Sequence, residues 1–139
     1  MPIDYVIDHD HRLVRARGSG IFTDEDVFNY QKTVWSRDDV RGYDEVLDMT
    51  DVRHIALPSF GRIRDVANLS VTKDDPKRVT KFAIVAPGDV AYMLGKLYKA
   101  IRSATSGSTR KVGVFRTADE AMAFLKLGES REASSQNRG

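Results

Sequence analysis

The chain opens with two short apolar runs, Ile3-Asp4-Tyr5-Val6-Ile7-Asp8 and Arg12-Leu13-Val14-Arg15-Ala16-Arg17, separated by the polar turn His9-Asp10-His11. In the second run Leu13, Arg15 and Arg17 share one face and Val14 and Ala16 the other, the period of two that marks a strand with one polar side. The pair predicts an antiparallel hairpin. Gly18-Ser19-Gly20 then breaks the pattern. Thr23-Asp24-Glu25-Asp26 supplies an N-cap with acids in the first turn, where they complement the helix dipole. A helix is expected to about Arg37, with Val27, Phe28, Val34 and Trp35 as its apolar stripe and Gln31 inside that stripe.

The run from Tyr43 to Met49 is short, apolar on one side and closed by Thr50-Asp51, which predicts a core strand. Pro58 suits the first turn of the next helix, because that position needs no backbone N–H; Phe60, Ile63, Val66 and Ala67 give it an apolar face. The charged, proline-broken segment from Thr72 to Arg78 predicts a loop. Lys81-Phe82-Ala83-Ile84-Val85-Ala86 is continuously apolar after its first residue, which argues for a strand buried on both faces. Pro87-Gly88-Asp89 starts a helix to about Ala104, with Asp89 as N-cap. Val90, Met93, Leu94, Leu97, Tyr98 and Ile101 fall on one side of it, and Tyr92, Lys96, Lys99 and Ser103 on another. A loop at Thr105 to Thr109, a last strand from Lys111 to Arg116, and a capping box at Thr117-Ala118-Asp119-Glu120 leading a final helix through Leu125 complete the pattern.

Composition narrows the class. With 139 residues, 41% hydrophobic and 30% charged, the chain has enough apolar material for one domain with its own core. That domain is expected to span 1–126, with a polar, disordered tail over 127–139. No apolar run approaches the ~18 residues needed to cross a bilayer, and Met1-Pro2-Ile3-Asp4-Tyr5 lacks the features of a secretory signal, so a soluble, cytoplasmic protein is expected. Without cysteine there are no disulfides, thiolate nucleophiles or thiolate metal sites. Charge is uneven: residues 1–51 carry six basic and twelve acidic side chains, and residues 52–139 sixteen and eight. Such an asymmetry favours oriented association, here a weak homodimer. The sheet edge left by the first hairpin is expected to be blunted by Arg12, Arg15 and Arg17.

Three local motifs carry a likeness to known proteins. The Gly-Ser-Gly after the second strand, the strand end Leu47-Asp48-Met49-Thr50-Asp51-Val52 and the strand exit Ala86-Pro87 resemble the SpoIIAA-like group of uncharacterised bacterial proteins. Over residues 3 to 126 the element order is similar to the STAS fold of bacterial anti-sigma-factor antagonists and of sulfate-transporter termini. The resemblance implies a single α/β domain with a mixed, mostly parallel sheet of about five strands and about four helices. In the antagonists a serine at the start of the helix after the third strand is phosphorylated by a partner kinase. Here Ala56-Leu57-Pro58-Ser59 occupies that stretch, with Pro58 at the modified position and Ser59 one residue later. A phosphate at a helix start changes charge and shape together, yet serine in a first turn also serves simply as a cap.

Other residues bear on chemistry. His9 and His11, two apart beside Asp10, have the spacing of a metal pair, but an exposed polar turn with no third convergent ligand is the simpler reading, and no metal or cofactor is expected. His54 has no nucleophile or orienting carboxylate beside it. Asp48 and Asp51 form an acid–base pair only if brought together; otherwise Asp51 closes the strand by a side-chain turn and Asp48 faces the sheet edge or an Arg. Lys96, Lys99, Arg102, Arg110 and Lys111 read as a solvated helix and strand face rather than a nucleic-acid site, because stacking aromatics are lacking.

Two functions follow from these observations. The first is a non-catalytic interaction or regulatory domain binding a protein partner through Pro58, Ser59, Phe60 and Arg64. The second is a small-ligand binder, for a lipid or an anionic metabolite, with an apolar groove between the Phe60 helix and the Val90–Ile101 helix. Its ligand or anion pocket is expected where strands enter helices, at Thr50, Asp51, Pro87 and Gly88. An enzyme ranks third, for want of a nucleophile, base and orienter in recognisable spacing.

Overall fold

The computed structural model describes residues 3–56 and 59–126, apart from the side chain of Phe60. Five strands, β1 (Ile3–Asp8), β2 (Leu13–Phe22), β3 (Asp44–Ile55), β4 (Thr80–Val85) and β5 (Arg110–Phe115), form one sheet in the order β1-β2-β3-β4-β5. Only β1 and β2 are antiparallel; the other three pairs are parallel. The helices are α1 (Asp24–Tyr30), α2 (Phe60–Thr72), α3 (Asp89–Ala104) and α4 (residues 118–126). The expected α/β domain with a mixed, mostly parallel sheet is therefore present. Among the described residues no helix is long and apolar enough to cross a membrane.

The two sheet faces are covered unequally. Pairing sets Ile3, Val14, Phe82 and Val112 on the face beneath α1, α2 and α3, where the main core lies. The opposite face buries Leu13, Val46, Ala83 and Val85 beneath Ala121 and Leu125 of α4, and leaves Val6, Arg15 and Arg17 exposed. Arg15 and Arg17 thus decorate an open sheet face on β2, not the edge, which is β1. Asp4, Arg15, Arg17 and Asp48 line a wide trough there with Met122, whose mixed charges suit solvent.

Several boundaries differ from the sequence-based expectation. Gly18-Ser19-Gly20 lies within β2, because the strand continues to Phe22 through two register shifts against β3. Gly20 takes φ +63°, a conformation open to glycine but strained for other residues. The extension gives β3 a partner beyond Thr50-Asp51, so that strand reaches Ile55 and His54 stands exposed opposite Ile21. Asp51 does not close the strand by a turn. It projects from it, 3.6 Å from Arg17.

Thr23 caps α1 as its sequence predicts. Its Oγ1 accepts from the Asp26 N–H at 3.2 Å, and the Asp26 carboxylate accepts from the Thr23 N–H and O–H at 2.9 Å each. Thr23→Ala is expected to cost about 1 kcal/mol, the usual worth of such a cap. Urea unfolding checks this: an unchanged slope with a lowered midpoint is expected, and an unmoved midpoint contradicts it. After Tyr30 the helix widens into a π turn over Gln31–Trp35.

Helix α3 turns Leu94, Tyr98 and Ile101 of the side assigned from spacing inward, but not all of that side. Val90 and Met93 are exposed, Met93 by 71%, whereas Gly95, Tyr98 and Arg102 are buried. Gly95 allows the close approach: a Cβ there would lie 3.0 Å from Val114 Cγ1, so its missing side chain lets α3 sit directly on β5. Gly88, not Asp89, is the N-cap residue, and Asp89 instead pairs with Arg116 at 2.7 Å.

Candidate functional site

The π turn at the end of α1 decides what the core can hold. Winding five residues where an α-helix winds four places Tyr30, Gln31 and Trp35 against the sheet together. Between them, the sheet, α2 and α3 lies a cavity of about 140 Å³ that is open to solvent on one side. Its walls are Leu47, Met49, Phe82 and Ile84 from the sheet, Ile63 and Val66 from α2, and Ala91, Leu94, Gly95 and Tyr98 from α3. The surface facing the space is almost wholly apolar. Thr23, Asp24 and the exposed Ala56 frame it at the carboxyl ends of β2 and β3. Asp24 is paired there with Arg62 at 2.6 Å, and that hydrogen bond holds its carboxyl below the usual range.

Behind this wall runs a polar chain with a defined direction. Arg102 Nη1 donates to the Tyr98 hydroxyl at 2.9 Å, Tyr98 donates to Ser70 Oγ at 2.8 Å, and Ser70 donates to the Val66 carbonyl at 2.8 Å. Because Ser70 spends its one proton on Val66, it must accept from Gln31 Nε2 at 2.6 Å, which fixes the amide orientation. Gln31 Oε1 and the Tyr30 hydroxyl are then buried without a protein hydrogen-bond partner. Arg102, only 1% exposed, also pairs with the buried Asp74 carboxylate. Burial opposes its charge, and Tyr98 and Asp74 outweigh that burial, so its pKa lies above the ordinary value.

Glu45 is the second buried charge-bearing group. Its Oε1 accepts from Trp35 Nε1 at 2.6 Å and its Oε2 has no hydrogen-bond partner. Burial pushes its carboxyl up from the ordinary value, although the nearby Arg110 draws it down. The Tyr30 hydroxyl is raised as well, first by burial and then by the Glu45 charge.

The residues singled out from sequence are spread over the surface. Thr50 is exposed and its N–H donates to Asp48 Oδ1 at 2.9 Å, so Asp48 serves its own strand. The Pro87 carbonyl accepts from Arg116 at 3.0 Å. Thr50, Asp51, Pro87 and Gly88 therefore stand outside the cavity wall. Ser59 caps α2, its Oγ accepting from the Arg62 N–H at 3.3 Å, and Arg64 is exposed on the same helix. Pro58 and the Phe60 side chain lie outside the described residues, as does the segment 127–139. His11 Nδ1 lies 2.7 Å from Asp8, and His9 Nδ1 lies 2.8 Å from the Tyr43 hydroxyl. Lys96, Lys99 and Lys111 do not share a face with Arg102 and Arg110: Arg102 is internal, and Arg110 stacks over Trp35 at 5.3 Å and Phe82 at 5.6 Å.

Sequence reading missed Glu45 and Arg102. The available signal for Glu45 was its place two and four residues before Leu47 and Met49, on the face of β3 that turns inward. For Arg102 it was the i, i+4 spacing from Tyr98.

No protein-family model matches the chain, and no curated protein matches it. Among solved structures it is similar to an uncharacterised protein of the DUF3478 family with a SpoIIAA-like fold from Shewanella loihica PV-4. The likeness has a TM-score of 0.52 at 13% identity and covers 88% of this chain and 93% of that one. With its strand order, its parallel β2 to β5 and its three helices on one face, the chain has the SpoIIAA-like fold.

Proposed function

We infer that this domain is a non-catalytic binder of a small apolar ligand, held between α1, α2, α3 and the sheet. The observation that carries the reading is the cavity of about 140 Å³ with its apolar walls. Binding sites for small molecules are concave and mostly apolar, and an apolar space of about 150 Å³ is enough to bind benzene. The groove expected between α2 and α3 is the nearest sequence-based forecast of this site, and the aromatic π turn of α1 supplies its third wall.

Native mass spectrometry of protein gently purified from its own host tests the reading. A bound species that is lost after solvent extraction, and absent from an Ala91→Phe variant of unchanged circular dichroism, is expected. Ligand-free protein in every preparation, together with no response to added apolar compounds, contradicts it.

Helix α2 favours a second, compatible reading. Ile63 and Val66 wall the cavity, while Ser59 and Arg64 face solvent on the same helix. A protein partner at that outer surface would sense occupancy of the cavity through a single rigid element. Capture from host extract with wild type and Arg64→Glu tests it: different partner lists are expected, and identical lists from two folded proteins remove this surface.

A further inference from the structure

We propose that the cavity's ligand is a small neutral aromatic compound, an inference that rests on the ligand-binding reading above and names its chemical class. Five wall residues are aromatic: Phe22, Tyr30, Trp35, Phe82 and Tyr98. Four of them form a continuous edge-to-face series. Tyr30 and Trp35 have centroids 6.1 Å apart at 68°, Trp35 and Phe82 5.6 Å at 90°, and Phe82 and Tyr98 6.3 Å at 77°. Such a series offers a further ring both positive edges and negative faces, whereas a saturated molecule of equal volume gains only from burial. The space of about 140 Å³ takes a single ring, by comparison with the benzene-binding cavity of about 150 Å³, and a short substituent fits only toward its open side, framed by Thr23, Asp24 and Ala56.

Charge is selected against. Among the described residues no arginine lines the cavity, and the buried Arg102 is committed to Asp74 and Tyr98. At the rim Asp24 and Arg62 are paired with each other at 2.6 Å, so neither charge is free to hold an ionic ligand. The lining is almost wholly apolar, so a carboxylate placed there would lose its water with no partner to replace it.

The chain has a single tryptophan, so its indole N–H gives one side-chain signal in a proton–nitrogen correlation spectrum, and Trp35 stands in the cavity wall. Titrating the full chain with toluene, phenol, methylcyclohexane and benzoate tests the proposal. Toluene and phenol are expected to shift the Trp35 signal and to bind about tenfold more tightly than methylcyclohexane, the gain of an aromatic pair beyond area burial. Benzoate is expected to bind most weakly. Methylcyclohexane binding as tightly as toluene overturns the aromatic class and leaves the ligand reading standing, and preferred binding of benzoate overturns neutrality. No binding of any probe overturns both. Val66→Phe and, at the rim, Ala91→Phe fill the space from different helices. Loss of toluene binding in whichever variant keeps the wild-type spectrum elsewhere is expected, and undiminished binding places the ring outside this cavity and overturns the proposal.

Discussion

Replacing Arg102 by Ala is expected to lower the unfolding free energy by about 3–5 kcal/mol, the cost of breaking a buried ion pair by removing one partner. The side chain is 1% exposed and its partner carboxylate on Asp74 is 4% exposed, so the abandoned charge finds no water without local opening. The loss spreads along the chain of donors. Tyr98 loses the donor to its oxygen, and Asp74 keeps only the Thr109 N–H at 3.1 Å and the more distant Ser108 hydroxyl. Urea unfolding of Arg102→Ala, Asp74→Asn and the double variant measures the pair. The double variant is expected to cost clearly less than the sum of the single ones, because each removes the charge the other leaves stranded. Additive losses, or a cost for Arg102→Ala below about 1 kcal/mol, contradict the account.

The second large effect is the pH dependence set by Glu45. Burial raises its folded-state pKa above the ordinary 4.5. Between those two values the folded protein keeps a proton that the unfolded chain has already released. Stability therefore falls as pH rises through that window, by about 1.4 kcal/mol per pH unit, and levels off above the folded-state value. Glu45→Gln preserves the acceptor for Trp35 Nε1 and removes the titration. Its stability relative to wild type is expected to climb as pH rises from 4.5 and to level off once Glu45 has ionised in the folded protein, with the other titrating groups cancelling in the difference. Denaturant unfolding of both proteins across that range checks it, and a difference independent of pH shows that Glu45 does not carry the effect.

The fold was legible because its strands and helices differ in period. The alternation of Leu13 to Arg17, the unbroken run Phe82 to Ala86 and the Thr23–Asp26 capping box all form the elements their spacing predicts. What failed to show was whatever depended on two elements meeting. Nothing local tells that Gly95 admits β5 closely or that Met93, in the apolar stripe of α3, stands exposed. A basic residue such as Arg102 reads as surface until Ser70, Asp74 and Tyr98 are seen around it. Gln31 was the exception: an amide inside an apolar stripe is conspicuous in one dimension, and it marks the wall of the cavity. The site residues chosen at strand ends, Thr50, Asp51, Pro87 and Gly88, followed a rule for ligands at the carboxyl ends of strands; the cavity reaches those ends of β2 and β3 at Thr23, Asp24 and Ala56 instead.

A crystal of the full chain under xenon pressure tests the central claim most directly, because xenon enters preformed apolar space without needing a matched hydrogen bond. The account predicts xenon density between Trp35, Val66, Ile84 and Tyr98 with the surrounding side chains unmoved. A space filled by neighbouring side chains, or by water bonded to Gln31 with no xenon, would contradict it.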